Sequence, residues 1–333
     1  MSVEPTKVHE TVNRAVAHNW SVPEFQRGFV WKTTQVRDLA ESLWLDFPIG
    51  SLLLWSSSGP QEARAAKDGR TPALWIVDGQ QRTTALAILF GYKPYWWPAV
   101  DDWNKTVARY DIRFDVEATE APFFVIANAA IRRARVERYV PLSTLLPLDT
   151  EKEADQAKLR ELARRIKELD LCHGQDAMDV YARLDRVRKI RDRDIITVTV
   201  SHELEDVVEI FSRLNSRGTR VTEADIYLGV VASRNPGWVR DSFLPYLRGL
   251  ETEGFHLDPN LLFRSLTAIG SGSVRFKDIP DDFWGSQRLM QAWDRCKRSW
   301  GAAISRFHQV GVLRARGGIR VTDPPGAPVT STA

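Results

Sequence analysis

Apolar positions in the first part of the chain fall into short strand-like runs and helix-spaced stripes. Val36, Leu39, Leu43 and Leu45 recur at helical spacing and predict an amphipathic helix over 35–46. Gly50 to Trp55 is a compact apolar run that predicts a strand. Ser56 to Thr71, rich in Ser, Gly, Ala and charge, reads as a surface loop. Leu74 to Val77 predicts a buried strand. Asp78-Gly79 breaks it, and Ala85, Leu86, Ile88 and Leu89 open a helix at once. Between Tyr110 and Val116 the apolar Ile112, Phe114 and Val116 alternate with Arg113 and Asp115, a half-buried strand. Phe123 to Ile126 predicts another. Two helices follow over 151–171 (Leu159, Leu162, Ile166, Leu169) and 178–190 (Met178, Tyr181, Leu184, Val187). Ile195 to Val200 is β-branched throughout and reads as a strand. Glu203 to Leu214 is helical, with Val207, Ile210, Phe211 and Leu214 as its apolar face. From Thr222 to about Arg316 the pattern stays helical. Thr322 to Ala333 is rich in Pro, Ser and Thr, has no period and is expected to be disordered.

The strand at 195–200 returns after two helices, so those helices form an excursion from one core. The expected fold class is α+β: a small mixed β-sheet core within 1–235, carrying a helical insertion around 130–192. A helical region over 236–318 and a tail over 319–333 follow it.

A chain of 333 residues with 43% hydrophobic content can bury one large core or two ordinary ones. No apolar run approaches the roughly 20 residues that a membrane helix needs. Met1 to Glu10 is polar and lacks the apolar stretch of a signal peptide, so a cytoplasmic protein without membrane association is expected. Cys172 and Cys296 define no disulfide framework, and no CxxC or HExxH spacing points to zinc. The net charge of +3 is too mild to imply nucleic-acid binding by itself. No GxxxxGK[ST] loop is present, which excludes Walker-type NTP hydrolysis.

Three segments carry candidate chemistry. Asp78-Gly79-Gln80-Gln81-Arg82-Thr83-Thr84 crowds polar groups into the first turn of a helix, where N–H groups are unpaired and the dipole favours anions. Arg82 adds a planar cationic fork suited to phosphate. There Asp78 could hold a divalent cation, and Gln80 and Gln81 could donate to phosphate or position a nucleophile. The plain alternative is a capping box with Asp78 at N-cap and Gln81 at N3, which needs no ligand. Val22 to Trp31 again joins Gln26 to Arg27 among aromatics; it is a second pocket wall, or an edge strand with Phe29 and Trp31 packed inward. Phe211 to Gly218 presents Asn215 and Arg217 at a turn, or simply ends a helix. Two arginine clusters, Arg132/Arg133/Arg135/Arg138 and Arg183 to Arg193, are either solvated faces or phosphate contacts. Tyr92, Tyr95, Trp96 and Trp97 form an aromatic knot, read by default as core packing.

Pro23 to Trp31, Asp78 to Arg82 and Phe211 to Gly218 stand in the order and approximate spacing of one family's motifs. Over about residues 15–235 the chain resembles the N-terminal domain family of GmrSD-type restriction endonucleases. The resemblance implies a ParB/sulfiredoxin-like core and a role in defence against foreign, often modified phage DNA. It also implies nucleoside triphosphate binding with Mg²⁺, held by Asp78, and hydrolysis through Asp78, Gln80, Gln81 and Arg82. Gln26, Arg27, Gly79, Thr83, Asn215, Arg217 and Gly218 would complete the nucleotide site. Removing Arg82 is then expected to abolish turnover and leave the fold intact. Many members carry or recruit a His-Asn-His-type nuclease. Past residue 235 only helices and a tail are legible here, so the chain resembles a nucleotide-sensing subunit working with DNA and a separate nuclease, with self-association open. The alternative reading is a non-hydrolytic, nucleotide-switched DNA-binding or interaction module of ParB-like type.

Overall fold

The computed structural model describes residues 1–22, 28–56, 73–98, 101–172, 174–202, 206–207, 210, 223–235, 237–309 and 319–321. The chain divides into two compact units, the second formed mainly by residues from 203 onward. The fold is mixed α+β, as the hydrophobic pattern predicts.

The first unit is built on a five-stranded mixed sheet. Its strands are β1 (Ser2–Lys7), β2 (Trp20–Ser21), β3 (Leu52–Trp55), β4 (Leu74–Asp78) and β8 (Asp194–Val200), in the order β1-β8-β3-β4-β2. β1 runs antiparallel to β8, β8 parallel to β3, β3 antiparallel to β4, and β4 parallel to β2. The late strand β8 thus enters the middle of the sheet, which makes the intervening helices an excursion. β1 lies at the edge, where Pro5 costs the ladder little.

Helices α1 (Val8–Val16), α2 (Thr33–Trp44) and α3 (Gln80–Phe90) share one apolar core with the sheet. α1 contributes Val8, Val12 and Ala15, the sheet Leu52, Leu54 and Ile76. α3 is buried along nearly its whole length, which explains why its sequence is apolar on every side after Thr84.

α4 (Trp103–Arg109) leads into a second sheet of three antiparallel strands, β5 (Ile112–Asp115), β6 (Phe124–Ile126) and β7 (Tyr139–Pro141), in the order β6-β5-β7. Glu41 on α2 ties this sheet to the core by accepting the N–H groups of Phe123 and Phe124 at 3.1–3.3 Å. Trp44 packs against Phe114 and Phe124 at centroid distances of 5.7 and 6.2 Å. Short helices α5 (Ala129–Arg133) and α6 (Leu142–Leu145) flank β7. α7 (Glu153–Glu168) then pairs with α8 (Ala177–Arg188), with Leu159, Ala163 and Ile166 buried on one and Val180, Leu184 and Val187 on the other.

The second unit contains α9 (Glu223–Arg234), α10 (Leu244–Thr252), α11 (Pro259–Ser271) and the 23-residue α12 (Gln287–Gln309), around an aromatic core that includes Phe243, Phe263, Phe276 and Trp284. A short strand, β9 (Phe255–Leu257), interrupts the helical run expected there. It pairs in parallel with β10 (Ile319–Val321). The loop expected at 56–71 and the helix expected over Glu203–Leu214 fall almost wholly outside the described residues, as does the tail from 322.

Candidate functional site

Strand β4 becomes helix α3 through one residue. Gly79 is the N-cap of α3 and has φ +97°, a left-handed conformation that side chains resist. A Cβ there would stand 2.2 Å from Leu52 Cδ2. The capping-box alternative is therefore corrected: Asp78 remains the last residue of β4, Gly79 takes the cap position, and no side chain caps the helix. The glycine's unusual φ turns the chain so sharply that the Asp78 and Gln81 side chains meet other partners.

Asp78 Oδ2 accepts a 2.8 Å hydrogen bond from Arg82 Nη2, one turn away, while Arg82 Nη1 donates to the Ile49 carbonyl at 2.8 Å. The guanidinium is only 17% exposed. Gly50, at φ +81°, makes room for it: a Cβ on Gly50 would stand 2.6 Å from Arg82 Nη1. Arg82 thus bolts the segment before β3 to the end of β4, and its removal would cost stability as well as any chemistry.

Gln81 forms a second clamp. Its Nε2 donates to the Gly28 carbonyl and its Oε1 accepts from the Val30 N–H, both at 2.9 Å. The amide acts like one rung of a β-ladder against segment 28–30. Two sequence motifs far apart in the chain are therefore hydrogen-bonded to each other. Phe29 packs inward against Tyr110 and Trp97, with centroids 5.4 and 6.2 Å away, and Tyr110 Oη donates to the Trp31 carbonyl at 2.6 Å. Of the aromatic knot, Trp96 and Trp97 are core, as expected, whereas Tyr92 is exposed and Tyr95 half-buried: Trp96 Nε1 donates to Thr84 Oγ1 at 3.1 Å, and Trp97 meets Trp103 edge-on at 5.1 Å.

The remaining site candidates sort by exposure. Gln80 and Thr83 are buried, and Thr83 Oγ1 has no hydrogen-bond partner among the described residues. Asp78 is one-third exposed. The first intrahelical bond runs from Thr83 N–H to the Gly79 carbonyl, so the N–H groups of Gln80, Gln81 and Arg82 precede the ladder. Gln26, Arg27, Asn215, Arg217 and Gly218 lie outside the described residues.

No group of three or more His, Cys, Asp or Glu is assembled for a metal among the described residues. One carboxylate, Asp78, fits a Mg²⁺ completed by water and phosphate oxygens, the usual manner of that ion. It does not fit an all-protein metal cage. A cavity of about 620 Å³ is lined in part by Ile49 and Gly50. Asp46, Asp192 and Asp194 line it against the single cation Arg193, so its charge disfavours a triphosphate.

The second arginine cluster is structural. Arg183 lies over Phe114 and reaches the Ala118 carbonyl, Arg186 lies over Trp44, Arg188 pairs with Asp185 and Asp192, and Arg193 pairs with Asp46. In the first cluster Arg132 pairs with Asp111 and Arg138 with Glu117, while Arg133 and Arg135 stay exposed. Sequence reading missed the Gly28, Val30 and Ile49 backbone groups; of the residues around Arg82 only Gly50, a glycine opening a strand, carries a signal.

No helix of the described residues is long and apolar enough to cross a membrane. No curated protein matches the chain. The family model described as the GmrSD restriction endonuclease N-terminal domain matches residues 9–231, a span that includes all three motifs. That match takes in well over half of the sequence, and the chain belongs to the GmrSD N-terminal domain family, among the components of restriction systems that act on DNA.

Proposed function

We propose that the β4–α3 turn binds the phosphates of a nucleoside triphosphate and that binding, followed by slow hydrolysis, gates the action of a partner nuclease of His-Asn-His type on DNA. The observation that carries this reading is the double clamp of Gln81 and Arg82. It joins the first motif, the segment before β3 and the helix start into one preorganised turn. Capping a helix requires none of those bonds. The amides of Gln80, Gln81 and Arg82, at the positive end of a helix, supply donors for phosphate oxygens. Asp78 would hold Mg²⁺, which when bound offsets phosphate charge. Arg82 acts as a positioning residue, fixing Asp78 and Ile49, and Gln81 fixes segment 28–30. Gln26 and Arg27, next to Gly28 in sequence, and Asn215, Arg217 and Gly218 are proposed to close the site. A ParB/sulfiredoxin-like core is proposed on the same grounds, from the family and the mixed sheet.

One observation favours the non-hydrolytic switch as the second reading: Gln81 and Arg82 are both engaged within the protein, which leaves neither free to orient water. Calorimetric titration with each of the four common NTPs and Mg²⁺, alongside phosphate release, separates the readings. Binding with release supports the NTPase, and binding without release supports the switch. Absence of binding by every NTP would overturn both.

A further inference from the structure

Helix α12 lies beyond the span matched by the family. Its apolar side is committed, with Leu289, Ala292, Trp293, Cys296 and Ile304 all buried. Its opposite side is not. Arg288, Arg295, Arg298 and Arg306 are exposed and, at 100° per residue, fall within one arc of about 80°. They spread over about 27 Å at 1.5 Å per residue. Arg288, Arg298 and Arg306 form no ion pair among the described residues, and Arg295 donates only to the Ile269 carbonyl, at 3.2 Å. The helix holds one acidic residue, Asp294, already paired with Lys297 at 3.0 Å.

A solvated helix face usually interleaves both signs at i,i+3 and i,i+4 spacing, as α7 does with Glu161, Arg164 and Glu168. Among the described residues the one carboxylate on α12 is Asp294, four residues before Arg298, and it is taken by Lys297, so the arc carries a net excess of positive charge. Among and beside its arginines stand Gln291, Ser299 and Ala302, all exposed. Short polar and small residues there let a broad polyanion approach the helix while the arginines reach out to it. The arc's length matches about eight phosphates along one strand of duplex DNA, at 3.4 Å per strand charge.

We infer that the arginine face of α12 is a sequence-independent contact for the phosphate backbone of DNA. The choice of DNA rests on the restriction-family assignment; the surface itself rests on charge and spacing alone. Phosphate contacts of this type position a protein on the duplex without reading its sequence.

The test is fluorescence anisotropy of the full chain with a labelled duplex of arbitrary sequence, titrated across salt concentrations without nucleotide. Each phosphate contact contributes about 0.9 to the salt slope of log K. The variant R288Q/R298Q/R306Q is expected to lower that slope by about 2.7 and weaken binding at least tenfold. The lysine variant R288K/R298K/R306K should restore most of the slope. K93Q/K105Q/K152Q removes the same charge from exposed positions on the other unit and should leave the slope unchanged. Circular dichroism checks that the glutamine variant stays folded. An unchanged slope in the glutamine variant overturns the inference. So does an equal loss in the lysine-to-glutamine control, or loss of binding to anionic vesicles with DNA binding intact. Because nucleotide is absent, failure here leaves the nucleotide reading standing, and failure of nucleotide binding leaves this one standing.

Discussion

Gly79 shows how much one residue can decide. At φ +97° it converts strand to helix in a single step, and a side chain there would both strain the backbone and strike Leu52. Gly79→Ala is expected to cost at least about 1–2 kcal/mol from the left-handed conformation alone, read as a lower urea midpoint. In a Leu52→Ala background, itself destabilised by the lost core side chain, Gly79→Ala should cost less by the part that comes from the clash. Cys296 offers a second prediction at this scale. Burial pushes its thiol up to about 12, and Cys172 is also raised, by burial foremost. Both thiols should resist alkylation in the native protein at about pH 8 and react promptly in denaturant, because the thiolate is the reactive form. Rapid labelling of Cys296 under native conditions would show that its surroundings are more open than described.

Between elements, the bonds that matter run from side chain to backbone. Gln81 reproduces one β-rung against segment 28–30, so Gln81→Ala should release that segment and raise its amide hydrogen exchange, at a stability cost of about 1 kcal/mol. On α8, burial alone would raise the Asp185 pKa, but hydrogen bonds from Lys189 and Arg188 outweigh it and the net shift is downward. A depressed folded-state pKa adds stability above the unfolded value near ~3.9, lost as pH falls through the folded value. Asp185→Asn should therefore lower stability at about pH 7 and flatten its decline below about pH 4, as followed by urea unfolding across pH.

These bonds also explain what was legible in the sequence. The strands at 74–78 and 194–200 and helices α2, α7 and α8 follow their apolar periods to within a few residues. α1 had a signal too, since Val8, Val12 and Ala15 stand on one helical face. β1 had none: its first four residues are exposed on both faces, so no alternation marks it. The partners of Arg82 and Gln81 are the backbone of Ile49, Gly28 and Val30, and backbone groups are alike in every residue. A pattern of side chains could suggest the turn but not what the turn grips.

For the molecule as a whole, the family assignment makes the chain a component of a DNA restriction system, and its response to nucleotide at the clamped turn is the proposal to be tested. The matched span ends at residue 231, and the aromatic core of the second unit lies beyond it. The most direct test of the central claim is hydrogen exchange read by mass spectrometry, with and without saturating NTP and Mg²⁺. Phosphates seated on the turn should protect the amides of residues 79–83 and, through Gln81, those of segment 28–31. Binding that leaves both segments unprotected, or that protects only other parts of the chain, would contradict the account.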